Sequence, residues 1–199
     1  MSNDVFTTID HPGVLSPMSK VTDVAFRALC AEYGAGITVT EFTHSSSIIH
    51  GDDELRIKRS PEENTVACQL FGNAVDEVVE AAQHVEGTFD FIDINCGCPA
   101  WKVIKSGAGS ALLNNPDKIA SLIDRLDTAV DIPVTVKIRS GFDEDSINAV
   151  EVSRKAEQAG AAMVAVHGRT SQQGYQGEAD WDVIKDVEEA TDIPVVGNG

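Results

Sequence analysis

Short β-branched runs alternate with stretches of helical spacing along the whole of this 199-residue chain. Residues 14–18, 37–41, 65–71, 91–96, 134–139, 163–167 and 193–199 read as strands. Between them, residues 24–33, 74–85, 117–129 and 181–190 read as helices, with Val75, Val78, Val79 and Ala82 marking one apolar face. Strands joined by single helices run parallel with right-handed crossovers. The pattern therefore predicts an α/β fold, a (β/α)8 barrel that is incomplete, with about seven strands present and the last helix, strand and helix missing. A doubly wound open sheet is the competing arrangement, but no Gly-x-Gly-x-x-Gly follows the first strand. The echo of Ala129-Val-Asp-Ile-Pro-Val134 in Ala190-Thr-Asp-Ile-Pro-Val195 also suits repeated βα units.

Local signals set the boundaries. Thr22 or Asp23 is placed to cap the helix at 24–33, which Gly34 and Gly36 stop. Residues 44–61 read as a polar loop with one short helix, a length more often functional than idle. Residues 101–113 read as irregular, and 143–159 as one acidic helix ended by Gly160.

Charge limits the partners. Lys and Arg total 15 against 32 Asp and Glu, a formal charge of −17. Nonspecific attraction to nucleic acid or anionic membranes is disfavoured, so an RNA partner needs a local basic site, residues outside this chain, or high salt. The four cysteines, without an apolar leader, fit a reducing compartment and a cytoplasmic protein with no membrane association. Cys30 and Cys68 read as core, and Cys96-x-Cys98 lacks the second ligand pair of a structural zinc site.

Chemistry concentrates at the predicted strand ends. Residues 91–99 are an apolar run that breaks into Asn95, Cys96, Gly97, Cys98 and Pro99, which puts a thiol where α/β folds place their reactive groups. The plainer reading is a strand ending in a turn with two buried thiols. Other strands end in Met18, Glu41, Gln69, Lys137 with Arg139, His167 with Arg169, and Asn198. Gln69 fits a loop residue satisfying backbone groups as well as a ligand contact, Arg139 fits a solvated strand end, and His167 fits a neutral core histidine. Lys137, inside Val-Thr-Val-Lys-Ile, needs an anion or a ligand carbonyl to receive it. Gly197 and Gly199 let backbone approach a phosphate. Together the set matches a flavin mononucleotide (FMN) pocket, with Lys137 beside the electron-rich side of the ring.

The motifs resemble those of the tRNA-dihydrouridine synthases along essentially the whole chain. They are Pro17-Met18 followed by Val21-Thr-Asp23, Gln69-Leu-Phe-Gly72, Asp93-Ile-Asn95 with Gly97-Cys-Pro99, and Lys102-Val103. Gly107-Ala-Gly-Ser-Ala-Leu-Leu113, Val136-Lys-Ile-Arg139, His167-Gly-Arg-Thr170, Tyr175-Gln-Gly177 with Ala179-Asp-Trp181, and Gly197-Asn-Gly199 follow in order. The resemblance implies a single FMN-binding barrel domain over residues 1–199, without the helical domain that helps the family hold tRNA. It implies reduction of the C5–C6 double bond of uridine in tRNA, with NADPH as electron donor. Pro17, Met18, Ser19, Gln69, Lys137, His167, Asn198 and Gly199 then correspond to flavin contacts and Cys98 to the general acid, while Asn95, Lys102, Arg139 and Arg169 are candidates for the uracil edge or nearby phosphates.

Three departures qualify the resemblance. Ser16 and Ser19 stand where the family usually has alanine, and Ser171 where arginine is common. The sequence also ends at Gly199, ahead of the eighth strand and its phosphate site, so the expectation for this chain alone is weak FMN binding and little turnover. Two other functions fit the residues: a flavin-dependent reductase or dehydrogenase of free pyrimidines, and a non-catalytic RNA-binding or scaffold fragment.

The acid excess also fits a salty cytoplasm, where screening removes self-repulsion. Molar KCl is expected to raise the midpoint of thermal unfolding, and a midpoint that stays flat or falls removes that reading.

Overall fold

A computed structural model describes residue 6 and residues 11–52 and 55–199 of the chain. It is an α/β fold, an incomplete (β/α)8 barrel with seven strands along the main path of its sheet. The chain divides into two compact units, Met1–Asp93 with Ala129–Pro133, and Ile94–Thr128 with Val134–Gly199.

The first unit contains β1 (Val14–Leu15), α1 (Val24–Glu32), β2 (Ile37–Val39), β3 (Thr43–His44), α2 (Ser45–His50), β4 (Val66–Phe71), α3 (Val75–Val85) and the first half of β5 (Phe91–Cys96). Its strand order is β1, β2, β4, β5, with β3 on β4 off that path, and the β1–β2, β2–β4 and β3–β4 pairs are parallel. Val66 to Leu70 are buried without alternation, as expected of a parallel strand covered on both faces. The spacing of Val78, Ala81, Ala82 and Val85 gives α3 its buried side.

The second unit carries the end of β5, then α4 (Trp101–Lys105), a 3₁₀ turn at Gly109–Asn114, α5 (Pro116–Ala129), β6 (Val134–Arg139), α6 (Ala149–Gln158), β7 (Met163–His167), α7 (Trp181–Ala190) and β8 (Val195–Asn198). Here β5, β6, β7 and β8 lie in sequence order, and β6–β7 and β7–β8 are parallel. Ile119, Leu122, Ile123 and Leu126 recur at helical spacing to form the buried stripe of α5.

Asp23 caps α1 as expected, its Oδ1 accepting the N–H of Phe26 at 2.9 Å. Residues 101–113 are not irregular throughout, since they hold α4 and most of the 3₁₀ turn. The long loop from residue 44 is shortened by β3 and α2. Nor is 143–159 one helix. Asp143 and Ser146 close a capping box around a short 3₁₀ turn at Glu144–Ser146, Gly141 bridges Ile147, and Ser140 O accepts the N–H groups of Asn148 and Ala149. Those local bonds compete with helix, which restarts only at Ala149. Cys68 is buried, and burial pushes its thiol up to about 12. Cys30, expected in the core, is only half-buried.

A buried ion pair anchors the first unit. Arg27 on α1 and Glu63 ahead of β4 have side chains of 0% exposure, and Arg27 Nε meets Glu63 Oε1 at 2.7 Å. Thr38 Oγ1 donates to the same oxygen at 2.6 Å, Ser60 N donates to Oε2 at 2.9 Å, and Arg27 Nη1 donates to Thr22 O at 2.9 Å. Both charges are thus hydrogen-bonded as well as paired, the condition under which burial is tolerated. Glu63→Ala, which strands the guanidinium, is expected to destabilise by about 3–5 kcal/mol, whereas Arg27→Met with Glu63→Leu recovers most of that loss. Urea unfolding of the two variants checks this, and a Glu63→Ala protein within about 1 kcal/mol of the parent contradicts it.

Candidate active site

β5 delivers its reactive residues through a turn built by its own side chain. Asn95 Oδ1 accepts the N–H groups of Gly97 at 3.2 Å and Cys98 at 2.9 Å, so the backbone leaves the strand at Cys96 and exposes the next thiol. Cys96 is buried and Cys98 is half-buried. A second loop holds the turn from below. Ser110 donates to Cys98 O from its backbone N–H at 3.1 Å and from its hydroxyl at 3.0 Å, and the same hydroxyl lies 2.6 Å from that of Ser171. This approach requires Gly109, which sits at φ +59°; a Cβ there would fall 2.9 Å from Cys98 O and 2.7 Å from Val103 Cγ1.

Arg139, at the end of β6, is the third brace and is 4% exposed. Its Nε donates to Gly97 O at 3.0 Å, and its Nη1 donates to Thr170 O and to Gly174 O at 2.8 Å each. Its guanidinium also lies 5.8 Å from the ring centre of Tyr175. One cation therefore ties the thiol loop to the loop after β7. Arg169 has a similar local task, donating from Nε to Gln176 O at 3.2 Å and from Nη2 to Gly177 O at 2.8 Å.

The register of β6, β7 and β8 aligns the remaining groups. Arg139 is level with His167 and His167 with Asn198, while Lys137 is level with Ala165. Side chains level with one another on parallel strands share a face. Because Ala165 is small, Lys137 reaches past it, and its Nζ donates to Asn198 Oδ1 at 2.9 Å. His167 Nδ1 accepts the N–H of Arg169 at 3.1 Å, which leaves the neutral ring's proton on Nε2. Burial, then the charges of Arg139, Lys137 and Arg169, lower the His167 pKa to about 4. Cys98 moves the other way: burial raises its pKa, partly offset by the N–H of Ala100 and the charge of Arg139. At neutral pH the site presents a thiol and an uncharged imidazole.

The other predicted residues are placed as follows. Lys102 is exposed on α4. At Gly197 and Gly199 an added Cβ would meet Trp181 at 2.9 Å and Ala179 at 2.4 Å respectively, so neither position has room for a side chain. In the first unit Gln69 is fully buried on β4, and its Nε2 donates to Asp93 Oδ2 at 2.6 Å. Pro17, Met18 and Ser19 lead from β1 into a turn at residues 19–21, and Met18 N donates to Thr22 Oγ1 at 3.0 Å. Lys20 follows at φ 64°, its N–H held by the buried carboxylate of Glu41. Sequence reasoning overlooked Ser110, Ser171 as its partner, and Tyr175, whose positions in glycine-rich loops were the available signal. Among the described residues no cluster of His, Cys, Asp and Glu is placed to hold a metal, and no helix is long and apolar enough to cross a membrane.

The chain is 42% identical over 195 residues to a protein named probable tRNA-dihydrouridine synthase from Rhodobacter capsulatus, an alignment covering 96% of this chain and 60% of that one. It is 43% identical over 195 residues to tRNA-dihydrouridine synthase B from Pseudomonas aeruginosa, covering 96% and 59%. The chain thus spans about 60% of the length of these curated relatives. Among solved structures, nitroalkane oxidase from Streptomyces ansochromogenes shares the fold with a TM-score of 0.58 at 16% identity, over 97% of this chain and 60% of that one. FabK from Thermotoga maritima does so with a TM-score of 0.53 at 16% identity, over 98% and 52%. The sequence model of dihydrouridine synthase (Dus) matches residues 14–199, the span that includes the braced Cys98 loop and the polar ends of β6, β7 and β8, and this chain belongs to that family.

Proposed function

We propose that residues 1–199 act as the FMN-binding catalytic domain of a cytoplasmic enzyme that reduces uridine in tRNA to 5,6-dihydrouridine. The observation that carries this chain's part in the reaction is the half-buried Cys98 thiol, its pKa raised by burial, on a loop fixed by Asn95, Ser110 and Arg139.

The donor set fits a flavin. Arg139 and Arg169 are met by backbone carbonyls, which hydrogen-bond these cations without neutralising them, and Lys137 donates to the amide oxygen of Asn198. Such a field suits the carbonyl-rich ring and phosphate of FMN. Lys137, His167, Asn198 and Gly199 are assigned to it. When bound and reduced by NADPH, FMN supplies the hydride that adds to C6 of uracil.

The chain's own residues do the rest. Charge develops at C5 and O4 as C6 is reduced, and Cys98 Sγ gives its proton to C5 while the S–H bond breaks. The thiolate then regains a proton from solvent. Asn95, Lys102, Arg139 and Arg169 hold the uracil edge and flanking phosphates, and the base leaves its stack to enter the site.

The test is dihydrouridine formed in tRNA with this chain, FMN and NADPH. Cys98→Ala is expected to lower the rate by roughly 10²–10⁴, the usual contribution of a positioned acid, and equal product from both proteins removes Cys98 from the mechanism. Reduction of free uracil, or oxidation of dihydroorotate, with no dihydrouridine in tRNA would move the assignment to a free-pyrimidine enzyme. A colourless protein that FMN cannot reconstitute would favour a scaffold.

The pH profile follows from the two shifts. His167 stays neutral down to about 4, so it gives no limb between about pH 5 and 8. The raised thiol pKa keeps the donor protonated through neutrality, so activity falls only above the ordinary thiol range and the fall disappears in the residual rate of Cys98→Ala. A fall beginning below pH 7 contradicts the assignment.

A further inference from the structure

The 32 acidic residues of the chain are spread unevenly along it. Residues 94–116 contain no Asp or Glu, nor do 132–142 or 158–177, and these stretches carry Lys102, Lys105, Lys137, Arg139 and Arg169. Elsewhere lysines on the second unit's helices face carboxylates: Lys155 meets Asp117 at 2.6 Å and Glu151 at 3.1 Å, and Lys185 meets Glu189 at 3.4 Å. On α4, by contrast, neither Lys102 nor Lys105 has a hydrogen-bond or ion-pair partner among the described residues, and both are exposed. Within a molecule of net charge −17, this is a local positive patch.

The same helix exposes an aromatic ring. Trp101, three residues past the thiol, is 73% exposed. Lys105 lies four residues on, one turn along the same helix face. A single exposed aromatic residue is ordinary on a protein surface. Trp101 differs in its setting, because a second ring, Tyr175 at 81% exposure, stands over Arg139, whose Nε holds Gly97 of the thiol loop. Two open rings thus border the loop that carries the reactive group, with cations beside each.

We propose that the face of α4 bearing Trp101 and Lys105 is a contact for single-stranded RNA, on which a base neighbouring the reduced uridine stacks while the ammonium meets its phosphate. The inference rests on the reading of Cys98 as the group that reacts with a tRNA base. Stacking on an indole is indifferent to base identity, and paired aromatic and cationic side chains are how proteins hold unpaired strands. Charge complementarity selects RNA over another protein: α4 is five residues long and two are lysines, far short of the apolar area that a stable protein interface needs.

The experiment measures tRNA binding to this chain in a Cys98→Ala background, at several salt concentrations, and steady-state kinetics with Cys98 present. Trp101→Ala is expected to raise Kd and KM for tRNA roughly 5- to 100-fold without lowering kcat or the melting midpoint, the range seen when one stacked base loses its platform. Trp101→Phe retains most of the affinity. Lys105→Ala reduces the slope of log K against log salt by about 0.7, the release expected for one phosphate contact on a single strand. If Trp101→Ala binds tRNA as tightly as the parent, or the parent binds no tRNA, the inference is wrong. It is equally wrong if Trp101→Ala abolishes self-association in sedimentation while leaving RNA affinity intact, since the face would then join copies of the chain. If tRNA binds through Trp101 but no dihydrouridine forms, the contact stands and the reductase reading fails.

Discussion

The site depends on the buried guanidinium of Arg139. Two irregular loops follow β5 and β7, and their carbonyls at Gly97, Thr170 and Gly174 need donors once water is excluded. Arg139 supplies all three from one rigid fork. Carbonyl dipoles solvate the cation, but they do not cancel its charge. The same residue therefore fixes the backbone beneath Cys98 and contributes positive potential at the thiol and at His167. Its charge lowers the proton affinity of both groups, while burial acts on them in opposite directions, raising the thiol and lowering the imidazole.

Charge is distributed by role in this chain. Acidic residues on the second unit's helices pair with lysines, Asp117 and Glu151 with Lys155 and Glu189 with Lys185. Residues 94–116, 132–142 and 158–177 hold none. Net charge describes the first population and says little about the second. A total of −17 opposes nonspecific contact with nucleic acid, so an RNA contact within this chain needs a local basic site such as the acid-free segments offer. The first unit uses its buried charges differently, pairing Arg27 with Glu63 so that α1, β2 and the approach to β4 meet at one point.

The architecture was legible because it depends on periodicities that a sequence carries openly. β6 and β7 begin and end where their β-branched runs do, and α7 matches its apolar spacing from Trp181 to Ala190. The expected continuous helix at 143–159 failed where Asp143 and Ser146 bond to one another and Ser140 takes the next amides, contacts that periodicity cannot register. At the site, Cys98, Lys137, His167 and Asn198 stood out as polar residues in apolar strands. Asn95 and Arg139 read in the sequence as candidate substrate contacts, and the structure adds a bracing role for each. The pairing of Ser110 with Ser171 is illegible for the opposite reason: two loop serines 61 residues apart give no sign that their hydroxyls lie 2.6 Å from one another.

The sequence by itself determined that parallel strands alternate with helices and that a thiol, a lysine, a histidine and an asparagine lie at strand ends, because side-chain period and strand termination are local properties. Only the tertiary structure decided what those groups are chemically. The register of β6, β7 and β8 brings Lys137 to Asn198 across Ala165 and sets Arg139 beside His167. Loops remote in sequence supply the braces under Cys98. Burial and neighbouring charge then fix the protonation of the thiol and the imidazole, and both depend on distances between residues that the order of the chain does not specify.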